Sequence, residues 1–119
     1  MEKIRLAVIG LGSVAQMVHL PNLMKIKNAG ISAVAEINKS RLNFIADKFN
    51  IKKRYNNHTE LLDDDQTDAV IISTPTHLHK QIAIDCLNAS KDVLVEKPLA
   101  RNSSEGMEVV KCANKNNRN

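Results

Sequence analysis

Gly10, Gly12 and Ala15 stand in the spacing G-x-G-x-x-G/A directly behind an apolar run that ends at Ile9. Small residues at those places do three separate jobs. The first makes a tight turn, the second lets backbone approach a pyrophosphate, and the third lets a helix pack closely on a strand. Free backbone N–H groups at the start of the next helix would then face phosphate oxygens, with the helix dipole behind them. The same spacing also closes ordinary strand–helix turns, so it is not specific by itself. Glu36 adds the second functional group. It finishes the next apolar run, where a carboxylate accepts hydrogen bonds from both ribose hydroxyls of an adenosine. Its distance from Gly10 exceeds the usual ~20 residues, and a first helix interrupted at Pro21 absorbs the excess. A carboxylate repels a 2′-phosphate, which predicts NAD(H) over NADP(H). Arg41 weighs on the other side, because an arginine in this region can contact a 2′-phosphate or stack on adenine.

Those groups need elements to hold them. Ile4, Leu6, Ala7, Val8 and Ile9 form a run suited to a buried parallel strand. A helix begins near Ser13 with Val14, Met17 and Val18 at helical spacing. Pro21 lacks an N–H and disfavours helical geometry at Leu20, so a kink or restart is expected there. Leu23, Met24 and Ile26 continue the apolar face, and Gly30 ends the segment. His19, beside the break, is expected to bond a backbone group loosened by Pro21. Ile31 to Ile37 reads as a second strand. Leu42, Ile45, Ala46 and Phe49 mark an amphipathic helix capped by Asn38, and Lys53 to Tyr55 a short third strand. Thr59 is the expected cap of a brief helix holding Leu61 and Leu62, and Asp63-Asp64-Asp65 the expected solvated loop.

Ala69 to Ser73 is a fourth strand, broken by Thr74-Pro75-Thr76. A helix follows from about His77, with Leu78, Ile82, Ala83, Cys86 and Leu87 inward and His79 on the same side. Val93 to Val95 is a fifth strand running into Glu96-Lys97-Pro98. Asn102 and Glu105 resemble a capping box for a last helix carrying Met107, Val110 and Ala113, which frays into Asn114 to Asn119. Regular strand–helix alternation with short connections predicts an α/β fold, a Rossmann-type doubly wound parallel sheet in three layers. Ligands of such sheets bind beyond the carboxyl ends of the strands. That rule gathers Gly10 to Val14, Glu36, Ser73 to Thr76 and Glu96 to Lys97 on one edge.

The 119 residues suffice for one modest domain, and 43% hydrophobic with 25% charged residues is the balance of an ordinary globular chain. The net charge of +4 is spread out and no basic stripe carries interleaved aromatics, which argues against nucleic-acid binding. Cys86 and Cys112 lack metal-ligand spacing and read as two reduced thiols of a cytoplasmic protein. The first strand starts too early to leave room for a signal peptide, and no apolar run has membrane-spanning length. His77 and His79 form an H-x-H pair, but residues two apart on a helix do not share a face. No metal site is expected.

Taken together, Gly10-Leu11-Gly12-Ser13-Val14-Ala15, His19-Leu20-Pro21, Thr74-Pro75-Thr76-His77-Leu78-His79 and Glu96-Lys97-Pro98-Leu99 resemble the N-terminal domain of glucose–fructose oxidoreductase/inositol dehydrogenase/MocA-type (Gfo/Idh/MocA) oxidoreductases. The resemblance covers nearly the whole chain, and the E-K-P motif is its most specific part. It implies hydride transfer between nicotinamide and a hydroxyl-bearing carbon of a sugar, cyclitol or similar polyol. By position, Leu11 to Val14 would cradle the pyrophosphate and Glu36 the adenosine ribose. Ser73, Thr74 and Pro75 would line the path to the nicotinamide, with His79 near that wall. Glu96 and Lys97 would lie by the nicotinamide ribose, Lys97 being the catalytic residue that also reaches the substrate hydroxyl. A cis peptide is expected at Lys97–Pro98.

The family also implies a second, larger domain with most of the substrate pocket, the homo-oligomer contacts and a histidine acid/base. Residues 1–119 therefore read as a truncated nucleotide-binding domain lacking the last strand or strands of its sheet. Negligible turnover is expected of it alone, and its open sheet edge would pair with another copy or be covered by the tail. Two further readings stay open: a non-catalytic nucleotide-binding sensor or interaction module, and a methyltransferase-like nucleoside site. The latter gives no reason for Glu96-Lys97-Pro98.

Overall fold

A computed structural model describes residues 2–119. Five parallel strands form one sheet: β1 (Ile4–Ile9), β2 (Ala29–Ala35), β3 (Arg54–Tyr55), β4 (Ala69–Ile72) and β5 (Asp92–Val95), in the order β3-β2-β1-β4-β5. The first strand lies in the middle, and the chain winds outward from it in both directions. Alternation along each strand sends side chains to opposite faces. Ala7, Ile9, Ala33, Ala35, Val70 and Ile72 meet Ile82, Ala83, Cys86 and Leu87 of α3 (His79–Asn88) and Val109 of α4 (Ser103–Lys115). Val8, Val34 and Ile71 point the other way, against Ala15, Leu20 and Leu23 of the first helical segment and Leu42, Ile45 and Ala46 of α2 (Lys39–Lys48). Both faces are dry at the centre, which is why these strands read as unbroken apolar runs.

The first helix restarts beside Pro21, as one of the two expected outcomes had it. A π-turn occupies Ala15–His19, and an α-helical turn, α1, follows at Leu20–Leu23. Leu20 donates its N–H to Ala15 O, five residues back. The irregularity thus lies one turn before the proline, within the turn whose bonding Pro21 would otherwise disturb. The second strand also begins earlier than its apolar run implied, so Gly30 lies inside it.

Several local expectations are corrected by side-chain partners. Asn57, not Thr59, caps the short 3-10 helix His58–Leu61, accepting from the Glu60 N–H. Asp64 is not solvated: it is buried and accepts from Lys53 Nζ and Tyr55 Oη, both at 3.1 Å. Burial opposes its charge, yet hydrogen bonds from Gln66, Lys53 and Tyr55 win and hold its carboxyl below the ordinary value. Asn102 does cap α4 by accepting from the Glu105 N–H at 2.9 Å, but the reciprocal half of the box is missing. The Glu105 carboxylate instead takes the guanidinium and N–H of Arg101. Met107 and Val110 are exposed; Val109 supplies the buried apolar contact of that helix, with Cys112 and the expected Ala113 packed beside it.

The tail does not fray away. Asn119 donates to Asp92 Oδ1 and its carbonyl accepts the Val93 N–H, both at 2.8 Å, so the end of the chain covers the start of the β5 edge.

Candidate cofactor site

Gly10 sits at the end of β1 with φ +90, a conformation L side chains rarely adopt. Space demands glycine as well: a Cβ there would lie 2.7 Å from Ser73 O and 2.9 Å from Thr74 Cγ2. The loops after β1 and β4 are thereby pressed together. Gly12 is the opposite case, since a Cβ there would meet nothing within 4 Å. It opens onto free space that even a small side chain would begin to fill.

Glu36 follows β2 and is 7% exposed. Its Oε1 accepts the Leu11 N–H and its Oε2 the Asn38 N–H, each at 2.9 Å. Arg41, in the first turn of α2, brings Nη1 to 3.7 Å from the same carboxylate. The turn after β1, the residue after β2 and the start of α2 are thus joined by one carboxylate. Beside them opens a cleft of about 750 Å³ whose lining includes Gly10, Gly12, Glu36, Arg41, Ser73, Thr74 and Pro75. Ile37, Asn57, His58 and Leu78 also line it. None of these four was named as a site residue from the sequence, although Ile37 follows Glu36, Leu78 lies in the Thr74–His79 stretch, and Asn57 and His58 lie just past β3.

Other expected site residues stand elsewhere. Leu11 is fully buried in the core, and its N–H is already given to Glu36 rather than open to a phosphate. Ser13 and Val14 are exposed at the start of the first helix. His79 is 1% exposed and does not line the cleft. Its Nδ1 lies 2.8 Å from Pro98 O and its Nε2 2.8 Å from Thr74 O, so the ring sits under the wall and links two loops. His19 reaches a side chain rather than backbone: its Nε2 is 2.7 Å from Glu96 Oε1. Lys97 is exposed on the following turn, and the Lys97–Pro98 peptide is cis.

The residues present fit a dinucleotide on structural grounds. The open space at Gly12 suits a pyrophosphate next to backbone, and a strand-end carboxylate one strand away suits a ribose. Among the described residues, no group of three His, Cys, Asp or Glu side chains is arranged to hold a metal ion. No helix among them is long and apolar enough to cross a membrane.

Known proteins agree with this geometry. Residues 4–119 match the Gfo/Idh/MocA oxidoreductase family, NAD-binding Rossmann fold. The myo-inositol 2-dehydrogenase of Thermotoga maritima is 35% identical over 101 residues, covering 85% of this chain and 30% of that protein. The 4-carboxy-2-hydroxymuconate-6-semialdehyde dehydrogenase of Sphingobium is also 35% identical, over 90% of this chain and 34% of its own. The WlbA dehydrogenase of Chromobacterium violaceum, solved with NADH and UDP-GlcNAcA, superposes with a TM-score of 0.93 at 31% identity, over 99% of this chain and 34% of its own. KijD10, a 3-ketoreductase of Actinomadura kijaniata solved with NADP, gives 0.92 at 27% identity, over 98% and 37%. This chain spans about a third of the length of the relatives it matches. It belongs to the Gfo/Idh/MocA oxidoreductase family and is an NAD-binding Rossmann domain of that family.

Proposed function

We propose that this chain is the NAD(H)-binding part of an enzyme that moves hydride between nicotinamide and a hydroxyl-bearing carbon of a polyol or sugar-like substrate. The buried Glu36 carboxylate carries the choice of NAD(H) over NADP(H). Its two backbone bonds fix it at the cleft wall, where it can accept from ribose hydroxyls but would repel a 2′-phosphate. Ile37, 79% exposed, offers an added phosphate no donor from its side chain, and Arg41 is drawn toward Glu36. Gly12 gives the pyrophosphate its room, and the backbone of Ser13 and Val14 faces it at the helix start. Ser73, Thr74 and Pro75 form the wall on the nicotinamide side, and Glu96 lies by the nicotinamide ribose.

The nicotinamide supplies or accepts the hydride. Lys97 places an ammonium where it can bond the substrate oxygen, orient the carbon and stabilise negative charge developing on oxygen. The relatives' names, an inositol dehydrogenase and a dehydrogenase solved with a nucleotide sugar among them, support a hydroxylated substrate. Titrating the purified chain with NADH by fluorescence, with NADPH and S-adenosylmethionine as competitors, tests the cofactor reading. NADH is expected to bind at least ~10-fold more tightly than NADPH, about 1.4 kcal/mol. Equal affinities would remove the role given to Glu36, and displacement by S-adenosylmethionine alone would favour a methyltransferase-like site.

A further inference from the structure

Glu96 and Lys97 are adjacent and opposite in charge just past β5, which makes Lys97 one candidate cation for that carboxylate. The pair does not form. Glu96 Oε1 lies 2.7 Å from His19 Nε2. Lys97, among the described residues, has no hydrogen bond or ion pair. The contact that takes the carboxylate crosses the fold, because His19 ends the π-turn in the first helical segment and Glu96 follows β5. A π-turn carries one more residue than an α-turn, which rotates the side chains that follow it by about 100°. His19 is partly buried, its side chain 14% exposed, so the contact is better shielded than one made at the tip of a free lysine.

We infer that His19 is a positioning residue for Lys97: by holding Glu96 it keeps the neighbouring carboxylate off the lysine ammonium. The ammonium is then left free for a substrate oxygen. The inference rests on the reading of Lys97 proposed above, but its central claim is that His19 and Lys97 compete for one carboxylate. That claim can be measured with no nucleotide bound.

The experiment compares acetylation of the Lys97 amine by limiting acetic anhydride in the folded 119-residue chain, read by mass spectrometry against its other lysines. In His19→Leu the released Glu96 pairs with Lys97, and Lys97 labelling falls about two- to fivefold, the range of an exposed ion pair. His19→Gln, whose amide can still donate to Glu96, keeps parental labelling. His19→Leu combined with Glu96→Gln restores it, which loss of packing alone would not do. His19→Asn is too short to reach Glu96 and serves in place of His19→Leu if that variant does not fold, as judged by circular dichroism. Unchanged labelling in a folded His19 variant, or a fall that Glu96→Gln fails to restore, overturns the inference. NADH titration of the parent separates the two readings. Failed NADH binding with the competition intact removes the cofactor proposal, and intact binding without the competition removes this one.

Discussion

Leu11 and Glu36 are bonded across neighbouring strands, the Leu11 N–H donating to Glu36 Oε1 at 2.9 Å. The glycine turn and the Glu36 carboxylate are therefore held in fixed relation. Glu36→Ala removes an acceptor from Leu11 and from Asn38 together. We expect it to weaken NADH binding at least ~10-fold and to lower unfolding stability by about 1–3 kcal/mol. Fluorescence titration and urea denaturation check the two halves. Parental NADH affinity in the variant would take Glu36 out of the site.

Gly10→Ala and Gly12→Ala should fail in different ways. At Gly10 the added Cβ meets Ser73 O at 2.7 Å in a backbone conformation hostile to alanine. Stability is expected to fall by about 2–4 kcal/mol, with binding lost as a consequence. At Gly12 the methyl enters open space, so the fold should hold within about 1 kcal/mol while NADH affinity drops. Denaturation curves for both, paired with NADH titration of Gly12→Ala, distinguish the cases. A Gly12→Ala variant binding like the parent would contradict the pyrophosphate placement.

Acid should weaken the protein through two arginine–carboxylate pairs. Hydrogen bonds from Arg5 hold the Asp68 carboxyl at about 2, and those from Arg101 do the same for Glu105. Unfolded, these groups titrate at roughly 3.9 and 4.3. Both folded values are depressed, so the stabilisation is complete above those unfolded values and is lost as pH falls toward about 2. Asp68→Asn should therefore be less stable than the parent at pH 7, with the gap closing between about pH 4 and 2. Urea midpoints measured across that span decide it; a gap of constant size would show that the pair contributes nothing through its charge.

The two thiols should differ in reactivity. Burial pushes the Cys86 thiol up to about 12, and the side chain is fully enclosed on the sheet-facing side of α3. Cys112 is only half-buried, with Asn88 and Asn116 beside its sulfur. At pH 8 iodoacetamide is expected to label Cys112 at least ~10-fold faster than Cys86. Equal rates in native buffer would mean that α3 opens readily.

The sheet was legible because its central strands are buried on both faces and so spell unbroken runs such as Ala7-Val8-Ile9 and Val70-Ile71-Ile72. Asn38 and Asn102 were readable as caps for a local reason, since each bonds an N–H three residues on. Contacts between distant residues left no such trace. Nothing near His19 indicates that its partner is Glu96, and nothing in three consecutive aspartates shows that the middle one turns inward to Lys53 and Tyr55. His79 shared the helix face that turns inward, yet only the folded loops reveal that its ring nitrogens meet Thr74 and Pro98 carbonyls. Among the residues that line the cleft, Gly10, Gly12 and Glu36 were named from the sequence through chemistry tied to strand ends. Asn57 and His58 were not, although they follow the end of β3 by two and three residues and so lie at the same sheet edge.

The close contact between Gly10 and Ser73 has a bearing on how cofactor choice can be altered. With no side chain tolerated there, the floor of the cleft is closed to substitution, and selectivity must be rewritten at its margins. Ile37 and Arg41 are such margins, so a polar donor in place of Ile37, with Glu36 neutralised, is the economical route toward a phosphorylated dinucleotide.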